Sequence, residues 1–236
     1  MADLNITRQA ARMRRDWEQR ARENARYYVA TGQEQWTDEE FFQSGELVLR
    51  EDILNDLGNI CQGRDPKQMR VLEIGCGAGR VTRALARRFG HVYAVDISGE
   101  MVRQATVALK EFPNAHIFRN NGRDLSVVRD HWWQRWGMGG KLQLDFAFSS
   151  MVFQHIPYRE IIENYVCEVN RRLRPGALFK FQVQGGRKKG LVTDHSWVGA
   201  PFSERDAREM ADRCGFEMRY QYGLGDQYYW LWFFKK

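Results

Sequence analysis

Three glycines and two acids carry the chemistry in this chain. Val71-Leu-Glu-Ile-Gly-Cys-Gly-Ala-Gly-Arg80 ends an apolar run in Gly75, Gly77 and Gly79, and Asp96 closes the next apolar run. Glycines at such a point let the backbone take positive φ and come close to a ligand. A carboxylate one strand further on can accept hydrogen bonds from both hydroxyls of a ribose. The dinucleotide fingerprint G-x-G-x-x-G needs a third glycine three residues after the second, where Arg80 stands instead. No Walker lysine follows, which argues against a nucleoside triphosphate. Glu73 beside the loop suits a ligand bearing ammonium and sulfonium groups better than one bearing a pyrophosphate.

The surrounding pattern must place these residues at the ends of strands. Apolar runs at 69–74, 91–95, 115–119, 142–149 and 177–183 read as strands, and 216–222 and 228–234 as two closing strands around Gly223-Leu-Gly-Asp226. Helical patterns at 80–88, 100–110, 127–136 and 159–173 alternate with them. A further helix is capped by Ser203 and runs through Cys214. Ahead of these, 3–28 reads as a helix with an apolar stripe that includes Ile6, Ala10, Met13 and Trp17, amid Arg8, Arg12, Arg14, Arg15, Arg20, Arg22 and Arg26. Thr37-Asp-Glu-Glu40 is a capping box for a second helix, and Gly58 and Gly63-Arg-Asp-Pro66 form a linker. The expectation is an α/β fold: a doubly wound, Rossmann-like, seven-stranded and mostly parallel sheet with an antiparallel C-terminal hairpin, plus an N-terminal helical cap. The division expected is 1–66 for the cap and 67–236 for the core.

With its strand, its glycines and its acid, the stretch 69–236 resembles the class I S-adenosylmethionine-dependent methyltransferases, of the small-molecule type. The resemblance implies S-adenosylmethionine as cofactor and S-adenosylhomocysteine as product. It implies that Gly75, Gly77 and Gly79 line the methionine half, that Glu73, Cys76 and Arg80 also bind the cofactor, that Asp96 holds the ribose, and that Ile97 and Met101 pack on the adenine. Asn120-Asn-Gly-Arg-Asp-Leu125 matches the family's stretch at the adenine edge, giving Asn121, Gly122 and Arg123 as contacts; Asn121 replaces the usual acid. Leu173-Arg-Pro-Gly176 matches a structural turn before the fifth strand. Ser149, Ser150 and Met151 would neighbour the sulfonium, with His155 as the titratable group close by. His155 suits a general base near pH 7 if the acceptor is protonated; the alternative is a residue that caps or packs beneath the loop.

The acceptor site is expected on parts outside the common core: Tyr27, Tyr28 and Trp36 before it, His195 and Trp197 in the long loop, and Tyr228 in the hairpin. Aromatic side chains there can shield a sulfonium and exclude water. Trp17 and Trp36 also read as plain core packing. Arg26, Arg187, Lys188 and Lys189 could hold an anionic acceptor, so the partner expected is a small molecule, anionic or aromatic. Ser-Ser-Met-Val at 149–152 departs from the Asp/Asn-Pro-Pro-aromatic stretch of base and amide-nitrogen methylation, and the pyrimidine carbon-5 enzymes need a cysteine that this loop lacks.

The composition, 43% hydrophobic and 28% charged, is that of an ordinary globular protein. The net charge of +6 favours anionic partners without choosing among them. Competing readings are an RNA methyltransferase or nucleic-acid-binding protein, prompted by the basic N-terminus, and a non-methylating enzyme using the same cofactor, such as a lyase or pericyclic catalyst. Asp and Glu interrupt the basic helix, which weighs against nucleic acid. No Cys/His spacing suits a metal, and Cys61, Cys76, Cys167 and Cys214 read as reduced thiols. With no apolar leader and no membrane-length run, the expected compartment is the cytoplasm. The oligomeric state is open.

Overall fold

The computed structural model describes residues 2–128, 142–186 and 197–236. In chain order the elements are α1 (Ala2–Val29), α2 (Asp38–Val48), α3 (Leu57–Cys61), β1 (Arg70–Ile74), α4 (Arg80–Arg88), β2 (His91–Asp96), α5 (Gly99–Ala108), β3 (Ala115–Arg119), β4 (Leu144–Ser149), α6 (Arg159–Arg172), β5 (Leu173–Val183), α7 (Glu204–Arg213), β6 (Phe216–Tyr222) and β7 (Tyr229–Lys235). All seven expected strands are present. The expected helix at 127–136 lies outside the described residues from 129 onward.

The strands form one sheet in the order β3-β2-β1-β4-β5-β7-β6. All pairings are parallel except those of β7, which runs antiparallel to β5 and β6. β4 is buried at every position, as befits an inner strand covered on both faces. β1 lies between β2 and β4, so strand order reverses there, and the carboxyl ends of these three strands share one crevice.

β5 starts earlier than expected, at Leu173. Arg174-Pro-Gly176 lies inside it, and the β4–β5 register shifts between Leu144 and Phe146 to take up the extra residues. Asp145 anchors that end: its carboxylate accepts from Arg64 Nη1 at 2.9 Å, Arg174 Nε at 3.1 Å and the Arg70 N–H at 2.9 Å.

α1 is bent at Asn24, whose φ and ψ are −164° and 85°. The Asn24 side chain accepts from the Tyr27 N–H at 3.1 Å and so caps the helix a second time from within. The turn beyond it reaches the glycine loop. α2 opens with the expected capping box, Thr37 with Glu40, and crosses α4 at Gly45, where a Cβ would collide with the Arg80 carbonyl.

Cys167 and Cys214 are joined in a disulfide between α6 and the end of α7. This corrects the reading of four reduced thiols. The two residues are 47 apart in sequence, and only the packing of α7 beside α6 brings them together. Cys61 and Cys76 are free and buried. No described helix is long and apolar enough to cross a membrane.

Chain purified without reductant and then denatured is expected to titrate two thiols, rising to four after reduction. Reduction is expected to lower unfolding stability by about 2–4 kcal/mol in a urea titration.

Candidate functional site

β1 hands over to α4 through Gly75, Gly77 and Gly79. The Gly75 and Cys76 N–H groups donate to the Val95 carbonyl at 2.8 and 3.0 Å, which fastens the loop to the end of β2. Gly75 and Gly77 have φ of 78° and 51°, in the left-handed region that favours glycine. A Cβ at Gly75 would collide with Val152, and one at Gly77 with Val29 of α1. The floor of the crevice is therefore bare backbone, approached by both the β4 loop and α1.

Asp96 is half-buried at the end of β2. Its carboxylate accepts from the Gly77 N–H and the Ser98 N–H, each at 2.9 Å. Burial pushes its pKa up to about 6, against those backbone hydrogen bonds. Glu73 accepts from the Thr82 hydroxyl at 2.6 Å. Burial pushes it up to about 7, opposed by Thr82 and then by the Arg80 charge. Arg80, 6% exposed, donates from Nη1 to the Ser44 carbonyl and hydroxyl at 3.2 and 3.3 Å. Its Nε has no partner among the described residues. An orphaned guanidinium N–H and an acid near neutrality suit the carboxylate and ammonium of an amino acid, and Asp96 suits a ribose. These residues fit the amino-acid and nucleoside ends of S-adenosylmethionine.

The loop after β4 forms the facing wall. Met151 has φ of 59°, uncommon for a residue with a side chain, and its N–H donates to Gln182 Oε1 at 2.7 Å. His155, 8% exposed, has Nδ1 2.7 Å from the Trp197 carbonyl. A carbonyl only accepts, so Nδ1 carries the hydrogen and Nε2 keeps its lone pair. Burial lowers the His155 pKa to about 4, opposed by the Trp197 contact.

Aromatic rings complete the cavity. The His155 ring lies 5.0 Å from that of Trp197 and 5.5 Å from that of Trp17, and Tyr28 meets Trp197 at 6.0 Å. The Arg20 guanidinium lies 4.9 Å from the Trp17 ring and 5.3 Å from the Trp197 ring. α1 is docked by Glu18, whose carboxylate accepts from the Ser98 hydroxyl at 2.9 Å and the Glu100 N–H at 3.3 Å, at the N-terminus of α5.

One cavity brings together Glu73, Gly75, Cys76, Gly77, Arg80, Asp96, Ile97, Met101, Ser150, Met151 and His155, with Tyr28, Trp197 and Tyr228 on its outer part. Other expected residues lie beside it. Gly79 lies against Ala105 of α5 and Leu109 just after it. Ser149 donates to the Ile74 carbonyl at 3.0 Å, tying β4 to β1. Asn121 caps its own turn, accepting from the Arg123 and Asp124 N–H groups at 2.8 and 3.0 Å. Gly122 sits under Ile97, and Arg123 donates to Thr7 of α1 at 2.8 Å. Tyr27 stacks edge-on with Tyr28. Trp36 donates to the Ala30 carbonyl at 3.0 Å and packs on Phe41, the core role read for it. His195, Arg187, Lys188 and Lys189 lie outside the described residues. Arg26 donates to the Trp36 carbonyl and pairs with Asp38, so it braces the cap.

Sequence reasoning missed several lining residues. Trp17 read as core, yet it lines the cavity with Met13; its spacing from Arg20 and Tyr28 along one helix was the available signal. Asn120 and Gln154 carried none, because a polar residue beside a motif does not announce its burial.

A family model for a methyltransferase domain matches residues 71–176. Among curated proteins, a probable cobalt-precorrin-6B C(15)-methyltransferase (decarboxylating) of Methanococcus maripaludis is 33% identical over 92 residues, which is 37% of this chain and 49% of that protein. The chain thus spans about half the length of that relative. Among solved structures, magnesium protoporphyrin IX methyltransferase from Synechocystis with S-adenosylmethionine bound superposes with a TM-score of 0.62 at 18% identity, covering 97% of each chain. The N-methyltransferase NodS of Bradyrhizobium japonicum with S-adenosylhomocysteine gives 0.61 at 13% identity, over 93% of this chain and 98% of that one. These likenesses show the fold.

Three outcomes are expected at this site. Asp96→Ala should weaken S-adenosylhomocysteine binding about a hundredfold by calorimetry, as expected for charged hydrogen bonds worth about 3 kcal/mol. In the unaltered chain binding should weaken as pH falls below about 6, where Asp96 protonates, and Asp96→Asn should abolish that step. The Glu73 pKa is raised in the folded state, so its contribution to stability is present below its ordinary 4.5 and lost as pH rises through about 7. Urea unfolding at pH 5 and pH 8 should show a fall larger by on the order of 1–3 kcal/mol than in Glu73→Gln; equal falls would refute it.

Proposed function

We propose that this chain, whose core is a class I S-adenosylmethionine-dependent methyltransferase domain, methylates a small-molecule acceptor held between α1 and the β4 loop. The observation that carries this is the continuity of one cavity from Asp96 and the glycine loop to Trp17, His155 and Trp197. On this reading Asp96 takes the ribose hydroxyls, and Glu73 and Arg80 take the ammonium and carboxylate. Ile97 and Met101 flank the base, and Ser150 and Met151 border the reacting centre. When bound, the cofactor supplies an electrophilic methyl group for in-line displacement, with S-adenosylhomocysteine as product.

The chain's own residues then have to place an acceptor and exclude water. Placement alone supplies much of the acceleration for an activated methyl group. Tyr28, Trp197 and Tyr228 line the outer cavity with Trp17 and offer flat apolar walls to the acceptor body. His155, with a pKa near 4, is a weak base at neutral pH. In this proposal it holds Trp197 and its neighbour Gln154 in place.

A nucleic-acid acceptor is less well supported. Glu18 pairs with Arg22, and Asp38 with Arg26, so the basic helix is partly neutralised along its length. Two of the three proteins named above act, by name, on a cobalt-precorrin and on magnesium protoporphyrin IX, which are small molecules.

The test is incubation with methyl-labelled S-adenosylmethionine and either a metabolite extract or total RNA. Label in small molecules together with S-adenosylhomocysteine is expected; label in RNA, or neither product, would overturn the reading.

A further inference from the structure

Beside His155 the cavity wall carries a polar group with nothing to bind. Gln154 is 2% exposed and lines the cavity. Its Nε2 lies 3.4 Å from His155 Nε2, and its Oε1 has no hydrogen-bond partner among the described residues. The orientation of this amide follows from its neighbour. His155 Nδ1–H donates to the Trp197 carbonyl, so His155 Nε2 is an acceptor. Gln154 must turn its NH2 toward that lone pair, which leaves the carbonyl oxygen as the orphan. A buried acceptor without a donor is costly, and a ligand N–H or O–H would remove that cost.

We infer that Gln154 fixes the acceptor of the methyl transfer and that this acceptor is a neutral nitrogen bearing at least one N–H. The inference rests on the methyl-transfer reading above. A neutral amine can donate its N–H to Gln154 Oε1 and still keep a lone pair for attack. That lone pair forms the new N–C bond as the C–S bond breaks and its electrons pass to sulfur. The product leaves as an ammonium that loses its proton to solvent, so no base is required.

A hydroxyl held the same way needs its proton removed, and the described residues around Gln154 do not provide for that. An amide oxygen is a negligible base, and His155 Nε2 faces the Gln154 amide. Glu73 and Asp96 are engaged at the cofactor end by Thr82, Gly77 and Ser98. Tyr165 is held in its neutral form by burial. The apolar rings of Trp17 and Trp197 accommodate the body that carries the nitrogen.

The test compares aniline and N-methylaniline with phenol and benzyl alcohol at pH 8.5. Binding to the S-adenosylhomocysteine-loaded chain is read by tryptophan fluorescence, and transfer is read with methyl-labelled S-adenosylmethionine. Both classes are expected to bind, since both can donate to Gln154 Oε1, and the amines alone to take label. Gln154→Met should weaken amine binding and transfer by about tenfold or more while S-adenosylhomocysteine affinity stays within about twofold. Gln154→Glu, which keeps an acceptor oxygen, should restore amine binding. Labelling of the alcohols would overturn the inference, as would absence of label on both amines. A parallel loss of S-adenosylhomocysteine affinity in Gln154→Met would assign the residue to the cofactor instead. Failure of the unaltered chain to bind S-adenosylhomocysteine would overturn the methyl-transfer reading itself.

Discussion

The Asp96 carboxylate holds the N–H of Gly77 on one side and the N–H of Ser98 on the other. Through that one group the loop after β1 and the start of α5 are set relative to each other. A carboxylate in so dry a place is costly unless its lone pairs are filled. Two backbone donors fill part of that need and leave the rest for a ligand. The glycine loop, the strand end and the opening of α5 therefore form one unit, and the sheet's reversal of order at β1 puts the β4 loop opposite it.

The N-terminal helix docks onto that unit. Glu18 binds the same α5 N-terminus from above, with the Ser98 hydroxyl and the Glu100 N–H as donors. The bend at Asn24 redirects the chain so that Val29 covers Gly77 and Tyr28 borders the cavity. Two acids thus meet at α5, one from the sheet and one from the cap, and together they fix the height of the roof over the floor.

Much of this was legible in the residues because it is local. Strand positions follow from apolar runs, the capping box of α2 and the Ser203 cap of α7 from their side chains, and the floor of the crevice from a glycine spacing and one acid. What was hidden depends on parts distant in sequence. Cys167 and Cys214 pair only because α7 lies along α6. Trp17 sits on an apolar stripe that a buried helix face and a cavity wall would both produce. Gln154 gained its meaning from a hydrogen on the far side of His155, which is set by the carbonyl of Trp197, 42 positions away. The early start of β5 was concealed by Pro175 and Gly176, which normally end strands and here sit in a register shift.

The turn that bears Tyr28 and Val29 faces two ways. Val29 covers the bare backbone of Gly77 on one side, and Tyr28 lines the cavity on the other. On the proposed reading the nucleoside and the acceptor share this one wall, so a substitution in the turn acts on both binding equilibria at once.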